Sequence, residues 1–244
     1  MRLDAENISK SYNGEDIIKD VSIYAEDSEV VSLLGISGVG KTTLFNIISG
    51  LESPDSGRVL LNGKDITALP GYVSYMLQKD MLLAHLNIID NVSIPLVIKG
   101  TKKKLARETA FKYFDKFGLL GCEYKYPKEL SGGMRQRAAL LRTYLFSSKI
   151  ALLDEPFSLL DAITKRLMHE WYLNVIKEIK LSTIFITHDI EEAILLSDRI
   201  YIMSGSPGKV SFELNVNKPK DHLLDFDLCE QFVEYKKEIL NKLK

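Results

Sequence analysis

Residues Gly35 to Thr42 read Gly-Ile-Ser-Gly-Val-Gly-Lys-Thr, a glycine-rich loop of the form G-x-x-x-x-G-K-[ST]. An apolar run (Val30, Val31, Leu33, Leu34) leads into it, and Leu44, Ile47, Ile48 and Leu51 follow at helical spacing. Strand, loop and helix in that order let backbone N–H groups converge on phosphate oxygens at the positive end of a helix. Lys41 can then reach the β- and γ-phosphates as a point charge, while the Thr42 hydroxyl holds Mg²⁺. The spacing predicts a nucleoside triphosphate site whose contacts are Gly35, Ile36, Ser37, Gly38, Val39, Gly40, Lys41, Thr42 and Thr43.

Other reactive side chains fall where strands are expected to end: Gln78, the pair Asp154-Glu155, and His188. In an open parallel sheet, ligands sit beyond the carboxyl ends of the strands, so these groups are expected to converge on the nucleotide. Two adjacent carboxylates after a wholly apolar strand need partners. Asp154 is assigned to the metal, directly or through water, and Glu155 to the attacking water as general base. Alternation along the strand is expected to point them apart, and Pro156 ends the strand. His188, with Asp189 behind it, is expected to contact the γ-phosphate. Gln78 either orients water or touches Mg²⁺.

The segment Leu130-Ser131-Gly132-Gly133-Met134-Arg135-Gln136 predicts a second anion-binding helix terminus, with Ser131 as N-cap and two glycines leaving amides open. Arg135 and Arg137 in the first turns oppose the helix dipole, which makes sense beside an anion or acidic surface. One nucleotide cannot fill both sites in different subdomains. A two-fold dimer resolves this, with Ser131, Gly132, Gly133 and Met134 of each copy facing the γ-phosphate held by the other.

The elements that position these groups follow from periodicity. Strands are expected at Ile23 to Ala25, in the run before Gly35, and at Arg58 to Leu61 and Lys64 to Ile66 around an Asn62-Gly63 hairpin. Further strands are expected where Val73, Tyr75 and Leu77 alternate with Ser74, Met76 and Gln78, and at Ile150 to Leu153, Thr183 to Ile186 and Arg199 to Ile202. Helices are expected over Leu105 to Phe117, Arg135 to Phe146 and Ile163 to Ile179, and in a tail marked by Leu228, Phe232, Tyr235, Ile239 and Leu243. The fold class is therefore α/β: a parallel-sheet core, strands and turns before it, and an inserted helical block. At 244 residues, 45% hydrophobic, the chain can bury one substantial core. A net charge of -1 provides no field toward nucleic acid, and the Lys102-Lys103-Lys104 run reads as a solvated face. Cys122 and Cys229 form no metal spacing and suit a reducing compartment. The N-terminus has no apolar signal region, and no apolar run reaches bilayer length.

Taken together, these motifs resemble the nucleotide-binding subunit of an ATP-binding cassette (ABC) transporter over roughly the first 205 residues. The pieces are the Gly35–Thr42 loop, the Gln78 loop, the Leu130–Gln136 signature, the Ile150–Glu155 strand, Ser158-Leu159-Leu160-Asp161 and His188. The resemblance implies a P-loop NTPase (RecA-like) core with an N-terminal antiparallel β subdomain and a helical subdomain. It implies one nucleotide-binding domain over 1–244, with core 1–85 and 149–205, helical part 86–148 and tail 210–244. It also implies Mg-ATP as bound species and adenine stacking on Tyr12, a residue that could equally pack. Met134 departs from the glutamine many members carry. A finer likeness is to importers of nitrate, sulfonates, taurine and thiamine-precursor pyrimidines. It rests on Tyr75 to Leu83, Asp90-Asn91-Val92, Thr187 to Ala193 and Ser206 to Lys209. Ala84-His85 stands where that group often carries Pro-Trp. His85 either tunes a membrane-partner contact or is an ordinary surface histidine.

The expectation is an ATP-hydrolysing importer subunit, catalysed by Glu155, His188 and Lys41, with Thr42, Gln78 and Asp154 toward the metal. It is expected to work as an ATP-dependent homodimer beneath membrane permease subunits, with an extracytoplasmic solute-binding protein and no nucleic acid. Its expected place is the cytoplasmic face of the membrane. Export, a soluble non-transport cassette ATPase and a non-hydrolysing regulatory module are the alternatives. The tail after Lys209 is expected to be too short for a regulatory domain, and the solute is not legible.

Overall fold

The computed structural model describes residues 1–147, 149–218 and 223–243. The boundary expected at 148, and positions 219–222 and 244 of the expected tail, lie outside the described residues. In chain order the elements are β1 (Leu3–Tyr12), β2 (Glu15–Ala25), β3 (Val30–Gly35), α1 (Lys41–Ile48), β4 (Ser56–Leu61), β5 (Lys64–Asp65) and β6 (Ser74–Met76). Then come α2 (Ile88–Ile98), α3 (Lys103–Phe111), α4 (Gly132–Phe146), β7 (Ile150–Asp154), α5 (Ala162–Ile179) and β8 (Ser182–Thr187). The last are α6 (Ile190–Leu196), β9 (Arg199–Ser204), β10 (Lys209–Asn215) and α7 (Glu230–Lys242). Two compact units result: the described residues of Met1–Val73 with Ser182–Lys244, and Ser74–Leu181.

The first unit holds an antiparallel sheet in the order β2-β1-β4-β5 and a second sheet built on β3. β3 is buried at all six positions, and it pairs in parallel with β8 on one side and β9 on the other. Such a strand reads as a continuous apolar run because both faces are covered. β10 closes the β9 side antiparallel. In the Asn62-Gly63 hairpin, φ values of 53° and 76° place both turn residues in the left-handed region that a two-residue hairpin loop demands. α1 stops at Ile48 because Gly50 turns left-handed (φ 76°), so Leu51, expected on its apolar face, is exposed instead.

The tail packs as expected at Phe232 and Ile239, which join Leu34, Ile194, Ile200 and Ile202 in one core cluster. Leu228 does not: it is 79% exposed. A 3-10 turn over Leu223–Leu228 brings Phe226 into the buried slot, edge-on to Phe232 at 5.6 Å.

In the second unit β6 and β7 pair in parallel, and α2, α3 and α4 form the helical block. The strand at β6 runs against its expected alternation. Ser74 and Met76 are buried, while Leu77 is exposed. Ser74 can be buried because its hydroxyl donates to the Ile150 carbonyl at 2.8 Å. Helix α3 ends at Phe111, short of the expected Phe117; the chain tightens into turns, with Phe114 N–H bonded to Phe111 O at 3.0 Å. This carries Phe114 and Phe117 into the interior. Asp161 caps α5, accepting from Thr164 N–H at 3.0 Å, and Asn87 caps α2 in the same way from Asp90 N–H.

Candidate functional site

The first unit carries the phosphate loop. A Cβ on Gly35 would lie 2.5 Å from the Met203 carbonyl oxygen of β9, so only glycine lets the loop leave the sheet here. Gly40, at φ 100°, is the N-cap of α1; no side chain caps this helix and its first turn has no acidic residue. The leading N–H groups are thus left open to an anion, with the helix dipole favouring one. Lys41 is buried, and its ammonium donates to the carbonyls of Gly35 and Ile36, each at 2.8 Å. The loop's own carbonyls hold the charge over the loop. Thr42 beside it is exposed.

Register places His188 next to this loop. Leu34 of β3 pairs with Thr187 of β8, so Gly35 and His188 leave neighbouring strands at the same edge. His188 is exposed there. Behind it Asp189 caps α6, accepting from Glu191 N–H and Glu192 N–H at 3.0 and 3.2 Å. Tyr12 ends β1 and is 42% exposed, with its hydroxyl donating to Glu52 and Lys10 lying 5.5 Å from its ring centroid. Partial burial, then the bond to Glu52, pushes its pKa up, while the Thr43 side chain bonds it and pulls the other way. The ring is therefore anchored by its polar end to Glu52, beyond the end of α1, and to Thr43, the third residue of that helix.

The second unit carries the carboxylates. Asp154 is the last residue of β7 and accepts from the Tyr75 hydroxyl at 3.3 Å. Burial, then the charge of Asp154, raises the Tyr75 pKa, so this donor stays protonated. Glu155 is not on the strand: its φ of 44° is left-handed, which a non-glycine residue adopts at a cost of about 1 kcal/mol or more. A turn, rather than strand alternation, separates the two carboxylates. Glu155 Oε2 accepts from Gln78 Nε2 at 3.0 Å, and Ser158 Oγ donates to the Glu155 carbonyl at 3.0 Å.

Ser131 caps α4 by accepting from Met134 N–H at 3.3 Å. A Cβ on Gly133 would meet Met168 Sδ and Thr164 Cγ2, both at 3.4 Å, so the turn sits tightly on α5. The two arginines have intrachain partners, which accounts for their position without an anion. Arg135 Nε bonds Asp80 Oδ2 at 3.1 Å, and the Arg137 guanidinium lies 4.8 Å from the Trp171 ring centroid. Spacing gave no sign of Tyr75, Asp80 or Glu52 as supports; each acts across the fold, and no local pattern marks it.

Thr42 carries a hydroxyl and Asp154 a carboxylate, oxygen donors of the kind that a hard cation such as Mg²⁺ takes one or two of alongside waters and phosphate oxygens. Among the described residues there is no cluster of three or more His, Cys, Asp or Glu. No helix among the described residues is long and apolar enough to cross a membrane.

Residues 18–158, more than half of the chain, match the ABC transporter family. The formylaminopyrimidine import ATP-binding protein ThiZ of Halalkalibacterium halodurans is 45% identical over 203 residues, 83% of this chain and 79% of that protein. The nitrate import ATP-binding protein NrtD of Synechocystis is 37% identical over 204 residues, 84% and 77% of the two chains. Among solved structures, a dimeric post-hydrolysis state of the ATP-binding cassette MJ0796 bound to ADP and Pi superposes with a TM-score of 0.74 at 26% identity. It covers 89% of this chain and 100% of that one. The phosphate loop, the paired carboxylates and these likenesses together show that the chain belongs to the ABC transporter family.

Proposed function

We propose that this chain is the subunit that binds and hydrolyses ATP to drive solute import through a membrane permease. What supports it most is the open N-terminus of α1 with the buried Lys41 ammonium folded over the loop, a ready receptor for a triphosphate.

ATP is held by Gly35 to Thr43, with Lys41 transferring its bonds from loop carbonyls to the β- and γ-phosphates. Tyr12 stacks against the adenine. When bound, Mg²⁺ neutralises phosphate charge, and Thr42 and Asp154 are the residues that would hold it, with Gln78 near it. Glu155 accepts a proton from the attacking water, whose oxygen forms a bond to the γ-phosphorus. The bond to the bridging oxygen breaks, and ADP and phosphate leave. Gln78 orients Glu155 and the water, and His188 stabilises charge on the γ-phosphate.

Ser131, Gly132, Gly133 and Met134 serve the nucleotide of a second copy, so the active form is an ATP-dependent homodimer. The chain works as one nucleotide-binding domain with a helical subdomain near 86–148, at the cytoplasmic face beneath permease subunits. A solute-binding protein and a small anionic or pyrimidine-like solute complete the system, by analogy with ThiZ and NrtD.

Glu155→Gln, in the presence of Mg-ATP, should retain nucleotide and accumulate as a dimer by light scattering. A variant that stays monomeric, or turns over ATP normally, overturns the mechanism. Lys41→Ala should lose tight ATP binding outright.

A further inference from the structure

We infer that Asp80 and Arg135 are positioning residues for hydrolysis: their ion pair ties the helix that starts at the Ser131-Gly132-Gly133 turn to the loop that carries Gln78. The inference rests on the proposed roles of Gln78 and Glu155.

Arg135 is the fourth residue of α4 and has two anchors, Asp80 Oδ2 at 3.1 Å and the Leu130 carbonyl at 2.9 Å. Two turns further along the same face, Arg142 donates to the carbonyls of Asp80 and Met81 at 2.6 and 2.8 Å. Asp80 Oδ1 meanwhile accepts from Leu82 N–H at 3.0 Å, folding the loop on itself, and Met81 is left-handed at φ 47°. From α2, the fully buried Asn91 clamps the far end, accepting from Leu83 N–H at 2.7 Å and donating to Leu83 O at 3.1 Å. One helix thus grips two consecutive carbonyls and a carboxylate of the loop.

Gln78 lies two residues before Asp80, within about 7 Å of extended chain. Its amide rests on the Glu155 carboxylate at 3.0 Å. Movement of α4 when its leading turn engages a phosphate is therefore delivered to the amide that orients the base. The side chains of Arg135 and Asp80 are 37% and 28% exposed. A pair this accessible adds little to stability, so what it contributes is alignment.

The test is a double-mutant cycle on the full chain with Mg-ATP, reading kcat, the KM for ATP and Tm. Asp80→Asn keeps an acceptor for Leu82 N–H but removes the ion pair; Arg135→Met removes the other partner. Each single variant should lower kcat about tenfold with KM within about twofold, as misalignment does. The double variant should be no slower than the worse single, because each acts through the other. Either single variant with parental kcat, or losses that multiply in the double, overturns the inference. If Arg135→Met does not fold, Arg135→Gln takes its place, keeping a donor for the Leu130 carbonyl but no charge for Asp80. It should show the same kcat loss, and parental kcat in it overturns the inference equally. Glu155→Gln separates the two layers. If it is inactive while the singles are parental, the coupling alone is wrong. If it hydrolyses normally, the general-base reading fails and takes this inference with it.

Discussion

The Gln78 side-chain amide donates to the Glu155 carboxylate across 3.0 Å, although 77 residues separate them in the chain. Glu155 sits in a left-handed conformation, its carbonyl accepting from Ser158 Oγ. In its proposed role of general base, Glu155 would be pre-oriented by this turned backbone and tethered carboxylate, which is what makes a weak base useful. Gln78→Ala should therefore lower kcat by one to two orders of magnitude while leaving the KM for ATP nearly unchanged. A rise in KM with kcat preserved would place Gln78 in nucleotide binding instead.

Two glycines with similar backbone angles should respond differently to alanine. Gly63 has φ 76° and open space around it, so Gly63→Ala should cost only the conformational penalty, about 1–2 kcal/mol. Gly40 has φ 100°, and a Cβ there would lie 2.3 Å from Ile18 Cγ2. Gly40→Ala adds overpacking of about 1–3 kcal/mol and displaces the loop. Denaturant melts should separate the two variants, and only Gly40→Ala should lose binding of a fluorescent ATP analogue. Equal stability in the pair would remove the steric argument.

If Asp154 holds Mg²⁺ as proposed, removing one oxygen at Tyr75 should be felt at the metal. Tyr75→Phe leaves the ring in place between its neighbours but takes away the donor to Asp154. A hydrogen bond to a charged group is worth more than about 1 kcal/mol, so the Mg²⁺ concentration for half-maximal ATPase should rise on the order of fivefold. An unchanged Mg²⁺ titration would detach Asp154 from the metal or Tyr75 from Asp154.

Acid should loosen the helical block at a defined place. Asp90 on α2 accepts from Arg107 Nε and Nη2 of α3, both at 2.7 Å, with Lys103 at 3.4 Å. The Arg107 bonds hold the Asp90 carboxyl below its ordinary pKa of 3.8. A depressed carboxylate stabilises the fold above its unfolded pKa and loses that contribution as pH falls through the lower folded value. The Tm gap between the parent and Asp90→Asn should thus be widest near neutrality and narrow below about pH 4. A gap that stays constant down to acid would mean that shape, not charge, joins these helices.

Much of this was legible from local pattern. The glycine loop, the uniformly apolar β3, the Asn62-Gly63 hairpin and the span of α5 depend on spacing and backbone preference within a few residues, which a sequence displays directly. What packing had to settle involved choices between near-equivalent residues or across long separations. Phe226 rather than Leu228 fills the slot beside Phe232, because a 3-10 turn changes which side chain faces inward. Ser74 is buried because a carbonyl 76 residues away accepts its hydroxyl. Glu155 leaves its strand through a left-handed turn that no alternation rule anticipates. Tyr75 finds Asp154 across 79 residues, and Arg135 finds Asp80 across 55. Residue order carries the chemistry and its local frame. Which polar group supports which depends on chain segments meeting in three dimensions, where desolvation and geometry select one partner among many.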